Sequence, residues 1–148
     1  MYVESKTAIV LQTCVALASS PVSVQPQEKH RVRIILDSGI QKTYITQQLK
    51  ETLGLKPIAR ERLCINTFGW DYDNLKTVDV VNLCLKNDDN DVTVTITAHV
   101  VPMICSPLKY QAVQFARKNH AHLKDIALSE CLLEENLAVD ILIGADQY

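Results

Sequence analysis

Glycine and proline are scarce in this chain, four and five in 148 residues, which leaves no composition for a collagen-like repeat or a flexible linker. Neither sign of charge dominates: 15 Lys and Arg stand against 17 Asp and Glu, for a formal net charge of −2. A chain so balanced has no bulk attraction to nucleic acid or to an anionic membrane, and neither is expected as a partner. No apolar run approaches the roughly 20 residues that a membrane-spanning helix needs. Ala8–Ala18 comes nearest to a leader, but Gln12 and Thr13 interrupt it and only Lys6 flanks it with positive charge, so it reads as a strand. The five cysteines (Cys14, Cys64, Cys84, Cys105 and Cys131) are odd in number and include no C-x-x-C pair, which argues against zinc ligation and against a disulfide framework. They read as reduced thiols filling small core positions in an intracellular, cytoplasmic protein. His120 and His122 fall on different faces of any helix and read as a solvated pair. Asp88, Asp89 and Asp91 lack the glutamate of a calcium loop and read as a hairpin tip. No metal and no cofactor is expected.

What is present is a 47% hydrophobic composition, enough for one core and a single domain over residues 1–148. Short β-rich runs dominate. Thr7–Leu17 reads as a strand, with pairing resumed at Val22–Val24 after Ser19-Ser20-Pro21. Arg31–Leu36 starts alternating and ends wholly apolar, as a strand does on entering a core. Cys64–Phe68, Thr77–Leu85, Val92–Val101 and Val139–Ile143 are further strands, and Arg60-Glu61-Arg62 is an exposed strand start. Val92, Val94 and Ile96 alternate with Thr93, Thr95 and Thr97, which predicts one buried and one wet face. Two short helices are expected. Thr46 caps the first, with Ile45, Leu49 and Leu53 at spacing four and Gly54 as its left-handed stop. Ser106-Pro107 opens the second, while Asn119–Glu135 is equally defensible as helix or loop.

The informative segment is Ile34-Ile35-Leu36-Asp37-Ser38-Gly39. A carboxylate directly after an all-apolar strand is poorly hydrated unless partners compensate. Gly39 permits a sharp turn there, and the Ser38 hydroxyl is placed to hydrogen-bond nearby backbone and stiffen the loop. Alone, the tripeptide is common in ordinary turns.

The wider pattern resembles the retropepsin-like aspartic proteases, and in particular the aspartic peptidase domain of Pao/BEL-type retrotransposon polyproteins. The resemblance rests on Leu36-Asp37-Ser38-Gly39, then Lys42-Thr43-Tyr44-Ile45 leading to Leu53-Gly54-Leu55. Asn66-Thr67-Phe68-Gly69 resembles the segment before that family's flap, and Asp140-Ile141-Leu142-Ile143-Gly144-Ala145-Asp146 its closing hydrophobic-glycine signature. It implies a mostly β, closed barrel with one or two short helices. It also implies an aspartic endopeptidase in which Asp37, Ser38 and Gly39 form half of a catalytic site. Phe68, Gly69 and Trp70 would lie on a flap, Ile40 in the cleft, and Leu142, Ile143 and Gly144 in the supporting motif. Asp71 and Asp73 read as part of a solvated loop beside that flap.

Acid proteases set two carboxylates across one bound water, and only one D-S-G is present. A two-fold homodimer would pair Asp37 with its symmetry copy, acting on a peptide or polyprotein substrate. The pattern also departs from the family. Ile40 stands where Ser or Ala is usual and crowds the substrate backbone. Gln41 and Ala145 replace an acidic residue and an arginine that pair near the dimer contact. With Tyr148 so soon after Gly144, the chain reads as a domain excised from a longer polyprotein, and as a monomer or weak dimer. Two functions stay open: an active endopeptidase, or a non-catalytic protease-like domain used for dimerisation or peptide binding.

Overall fold

The computed structural model describes residues 12–22, 29–64, 75–87, 91–105, 120–123 and 138–148. Their strands are β1 (Thr13–Ser19), β2 (His30–Leu36), β3 (Tyr44–Thr46), β4 (Ala59–Cys64), β5 (Leu75–Lys86), β6 (Thr93–Val101) and β7 (Ile141–Ile143), with one short helix, α1 (Gln47–Thr52), after β3. Six of the strands close into a barrel in the order β1-β2-β7-β3-β6-β5, and β5 returns to β1. The closing seam pairs Leu17 with Lys86, Ala18 with Leu85 and Ser19 with Cys84. β4 stays outside the ring, antiparallel to the first half of β5, with Ala59 opposite Val80 and Cys64 opposite Leu75. A closed ring leaves few unpaired strand edges, which suits a sheet with one apolar face.

Alternation builds the interior. Val81, Leu83 and Leu85 on β5 face Ile96, Ala98 and Val100 on β6, and all six are buried. Val32 and Ile34 on β2, Ile45 on β3 and Ile141 on β7 complete the same cluster. The Thr93, Thr95 and Thr97 face of β6 is exposed, as its pattern predicts. Its opposite face is buried only from Ile96 onward, because Val92 and Val94 outrun the core and are 61% and 52% exposed.

Helix α1 follows its sequence signals closely. The Thr46 hydroxyl accepts the Leu49 N–H at 3.2 Å, and Gly54 has φ +61°, the left-handed stop. Ile45 differs, for it precedes the cap and lies in β3, buried against the barrel interior. β4 corrects another expectation: the strand occupies Ala59–Cys64, so Arg60-Glu61-Arg62 is its middle rather than its start. β7 begins at Ile141, two residues later than read, although Asp140 already joins the ladder through Arg33.

Of the four described thiols, Cys14 packs against the core cluster and the other three do not fill it. Cys14, Cys84 and Cys105 are half-buried and Cys64 is exposed, Cys105 lying beyond the end of β6. Val22 is an exposed turn residue, and Ala121–Leu123 is a single 3-10 turn that contains the exposed His122 and follows the exposed His120. Val24, the second helix, the rest of Asn119–Glu135, Asp71, Asp73, Asp88, Asp89 and Cys131 lie outside the described residues. Asp91 is exposed and pairs with Lys86 at 2.9 Å.

Candidate active site

Asp37 follows β2 directly, at the point where β2 and β7 run side by side in parallel. Ile34, Ile35 and Leu36 stand beside Ile141, Leu142 and Ile143, and the pairing runs one step further, with the Asp37 N–H donating to the Ile143 carbonyl at 3.0 Å. The Asp37 loop and the Leu142-Ile143-Gly144 segment are therefore neighbours. An apolar strand carries the carboxylate to the rim of the barrel and leaves it half-buried there.

Within the loop, the Gly39 N–H donates to Asp37 Oδ1 at 2.9 Å, and the Ile40 N–H donates to the Asp37 carbonyl at 3.2 Å. Backbone amides thus do the stiffening that Ser38 was expected to do. Ser38 is exposed, and its hydroxyl makes no hydrogen bond among the described residues. Gly39 makes its turn without a left-handed φ. What glycine supplies is closeness: a Cβ there would sit 3.1 Å from Asp37 Oδ1. Asp37 Oδ2 has no hydrogen bond among the described residues. Phe68, Gly69 and Trp70, the expected flap, lie outside the described residues.

The far end of the loop is clasped by Thr43 and Asp146, to which the sequence reading assigned no role of their own, together with Gly144 of the expected supporting motif. Thr43 is fully buried. Its N–H and hydroxyl both donate to the Asp146 carboxylate, at 3.1 and 2.7 Å, and its Oγ1 accepts the Gly144 N–H at 3.1 Å. The Ala145 N–H donates to the Ile40 carbonyl at 2.7 Å. Gly144 fits because it has no side chain: a Cβ would lie 2.4 Å from the Lys42 carbonyl oxygen and 2.8 Å from that of Ile40. Gln41 and Ala145 form no ion pair, and these backbone bonds join the two segments instead. Nothing local in the sequence marks the Thr43–Asp146 clasp, since its members are 103 positions apart.

Charges surround this frame. Glu61 Oε2 on β4 takes both Lys42 Nζ and His99 Nε2 at 2.8 Å. The hydrogen bond from Lys42, then that from His99, holds the Glu61 carboxyl below its ordinary range, and the same bond raises the Lys42 ammonium. Behind β2, Asp140 Oδ2 accepts the Arg33 N–H at 3.1 Å, and burial pushes its carboxyl up against that bond. An open groove of about 550 Å³ begins at the foot of the Asp37 loop, with Leu36, Ile143, Cys14, Leu85, Ile96 and Tyr148 among its lining residues. Among the described residues, no three His, Cys, Asp or Glu side chains converge to hold a metal ion, and no helix is long and apolar enough to cross a membrane.

Chemically, the site offers one carboxylate on a rigid, backbone-braced loop, with one oxygen held and the other open. Such a group can accept a proton from water or hydrogen-bond a peptide. By itself it lacks the second acid that peptide hydrolysis by this route requires. No protein-family model matches the chain, and no curated protein matches it.

Proposed function

We propose that this chain is one half of a retropepsin-like aspartic endopeptidase, completed by a second copy that brings its own Asp37 to the two-fold axis. The observation that carries the reading is the bracing of Asp37. Its loop is fixed to β7 at one end and by the Thr43–Asp146 clasp at the other, while the Gly39 amide orients a single carboxylate oxygen. Ordinary turns need no such double anchoring, whereas a general base must be held within tenths of an ångström of its target.

Two aspartates that close share one proton, because both cannot ionise easily. The ionised member takes a proton from the attacking water, and the protonated member donates to the peptide carbonyl oxygen. The tetrahedral adduct then collapses with protonation of the leaving amine, and no covalent intermediate forms. Processing of a retroelement polyprotein is the substrate class that the sequence resemblance favours. A second reading, a protease-like domain that binds peptide or its own copy without cleaving, is favoured by Ile40, whose branched side chain follows Gly39 at the mouth of the site.

Incubation with a random peptide library at mildly acid pH, with cleavage read by mass spectrometry, tests both. Cleavage that persists in chelator and disappears in Asp37→Asn supports the peptidase. Peptide binding without cleavage supports the second reading. Cleavage undiminished in Asp37→Asn overturns the mechanism.

A further inference from the structure

Among the described residues, β4 ends the strand order: β5 covers one of its edges and no strand covers the other. An antiparallel strand turns alternate N–H and C=O groups away from its neighbour, so half of the β4 backbone faces that open edge. Its two faces differ. On one, Leu63 is buried and Glu61 is held by Lys42 and His99. On the other, Arg60, Arg62 and Cys64 stand exposed. The charges along this β4–β5 ribbon do not balance. Its two acids are both engaged, Glu61 by Lys42 and Asp79 by Lys50 and Arg60. Arg62 makes no hydrogen bond or ion pair among the described residues, and Lys76, opposite Leu63, is exposed as well.

We propose that the open edge of β4 docks an extended acidic peptide, which adds a strand to the sheet and sets carboxylates opposite Arg60 and Arg62. Backbone pairing along the edge supplies affinity, and the charges select the partner. Carboxylates at alternate positions of an extended chain fall on one face, as Arg60 and Arg62 do, so both can be met at once. Arg60 is 73% exposed and has donors to spare beyond its bond to Asp79. The same charges turn away a second copy. Two β4 strands paired antiparallel about a two-fold axis overlap most when centred on Glu61 or on Arg62. The first register sets Glu61 opposite Glu61 and Arg60 opposite Arg62, and the second sets Arg62 opposite Arg62. Like charges directly opposite are destabilising, so the edge is closed to itself and open to acid. This surface rests on topology and charge, not on the reading of Asp37.

A synthetic peptide of alternating Val and Glu, titrated into the full chain with amide hydrogen exchange followed by NMR, tests it. In the free chain, alternate amides of β4 should exchange quickly, and in the complex those amides should slow roughly tenfold or more. Arg62→Glu, at an exposed position, should weaken binding roughly tenfold and Arg62→Gln by less, and added salt should weaken it in the parent. Methylating every backbone nitrogen of the peptide keeps its charge, removes its strand-pairing donors and should abolish binding. Asp37→Asn should bind the peptide as the parent does, which separates this edge from the candidate active site. Equal binding of a Val–Lys peptide or of the methylated one overturns the proposal, as does binding that ignores the Arg62 variants or is lost in Asp37→Asn. No slowing at β4 with about 1 mM peptide overturns it too. So do alternate β4 amides that are already slow in the free chain: with a dimer in sedimentation they assign the edge to a second copy, and without one to the chain's own residues. A chain that cleaves nothing yet shows the slowing at β4 sinks the peptidase reading and leaves the docking edge standing.

Discussion

Two glycines beside the candidate site make opposite demands. At Gly144, a Cβ would meet backbone at 2.4 and 2.7 Å, both atoms belonging to Lys42, and backbone cannot swing aside. Gly144→Ala should cost about 3 kcal/mol or more in denaturant unfolding, the upper end of overpacking penalties, and should spread the Asp37 loop from β7. Gly39→Ala meets only the tip of the Asp37 side chain at 3.1 Å. It should leave stability within about 1 kcal/mol while turning the carboxylate, so any activity should fall far more than stability does. Asp140 supplies a pH test. Burial raises its carboxyl in the fold, so its contribution is greatest when protonated and is lost as pH rises from the ordinary carboxylate value through the raised one. Asp140→Asn keeps an acceptor for the Arg33 N–H and removes the charge. It should unfold at higher denaturant than the parent at pH 7, with the gain vanishing in acid. An equal or lower midpoint at pH 7 would show that the charge is not a burden.

At the scale of elements, α1 is the clearest case of local chemistry deciding structure. Thr46→Ala removes the only side-chain cap of a six-residue helix and should cost about 1 kcal/mol, read from the thermal midpoint. A helix this short has no margin of its own and forms because Leu49 and Leu55 dock on the barrel. The same local logic made α1, β2 and most of β5 and β6 legible in the sequence, since caps, a left-handed glycine and period-two alternation all act within a few residues. Legibility ended where pairing partners are distant. The tripeptide at Asp37 was visible, but its bracing by Gly39 rather than Ser38 depends on how the backbone folds over the carboxylate. Thr43 and Asp146 are ordinary polar residues in their own neighbourhoods. Val92 and Val94 keep the alternation of a buried face and are exposed all the same, because a periodicity says which way a side chain points and not how far the core extends. The cysteines misled for a related reason: composition averages describe where thiols usually sit, and of the four described here only Cys14 packs against the core.

At the scale of the whole molecule, six of the described strands form a ring closed by pairings between distant segments, with β2 against β7, β3 against β6 and β1 against β5. Each must pay for closing a long loop before it is rewarded, so folding in stopped-flow experiments should fall in the millisecond-to-second range typical of barrels. Microsecond folding would mean that local elements carry more of the stability than this topology assigns them. Order of synthesis gives the Thr43–Asp146 clasp a further meaning. A ribosome makes Asp37 and its loop before the groups that brace it from Asp140 to Asp146, and Asp146 follows Thr43 by 103 positions. Until then the carboxylate has its Gly39 amide but neither its β7 partner nor its clasp. A nascent chain therefore carries the residue without its brace, and on the peptidase reading it would not cleave before Asp146 has emerged.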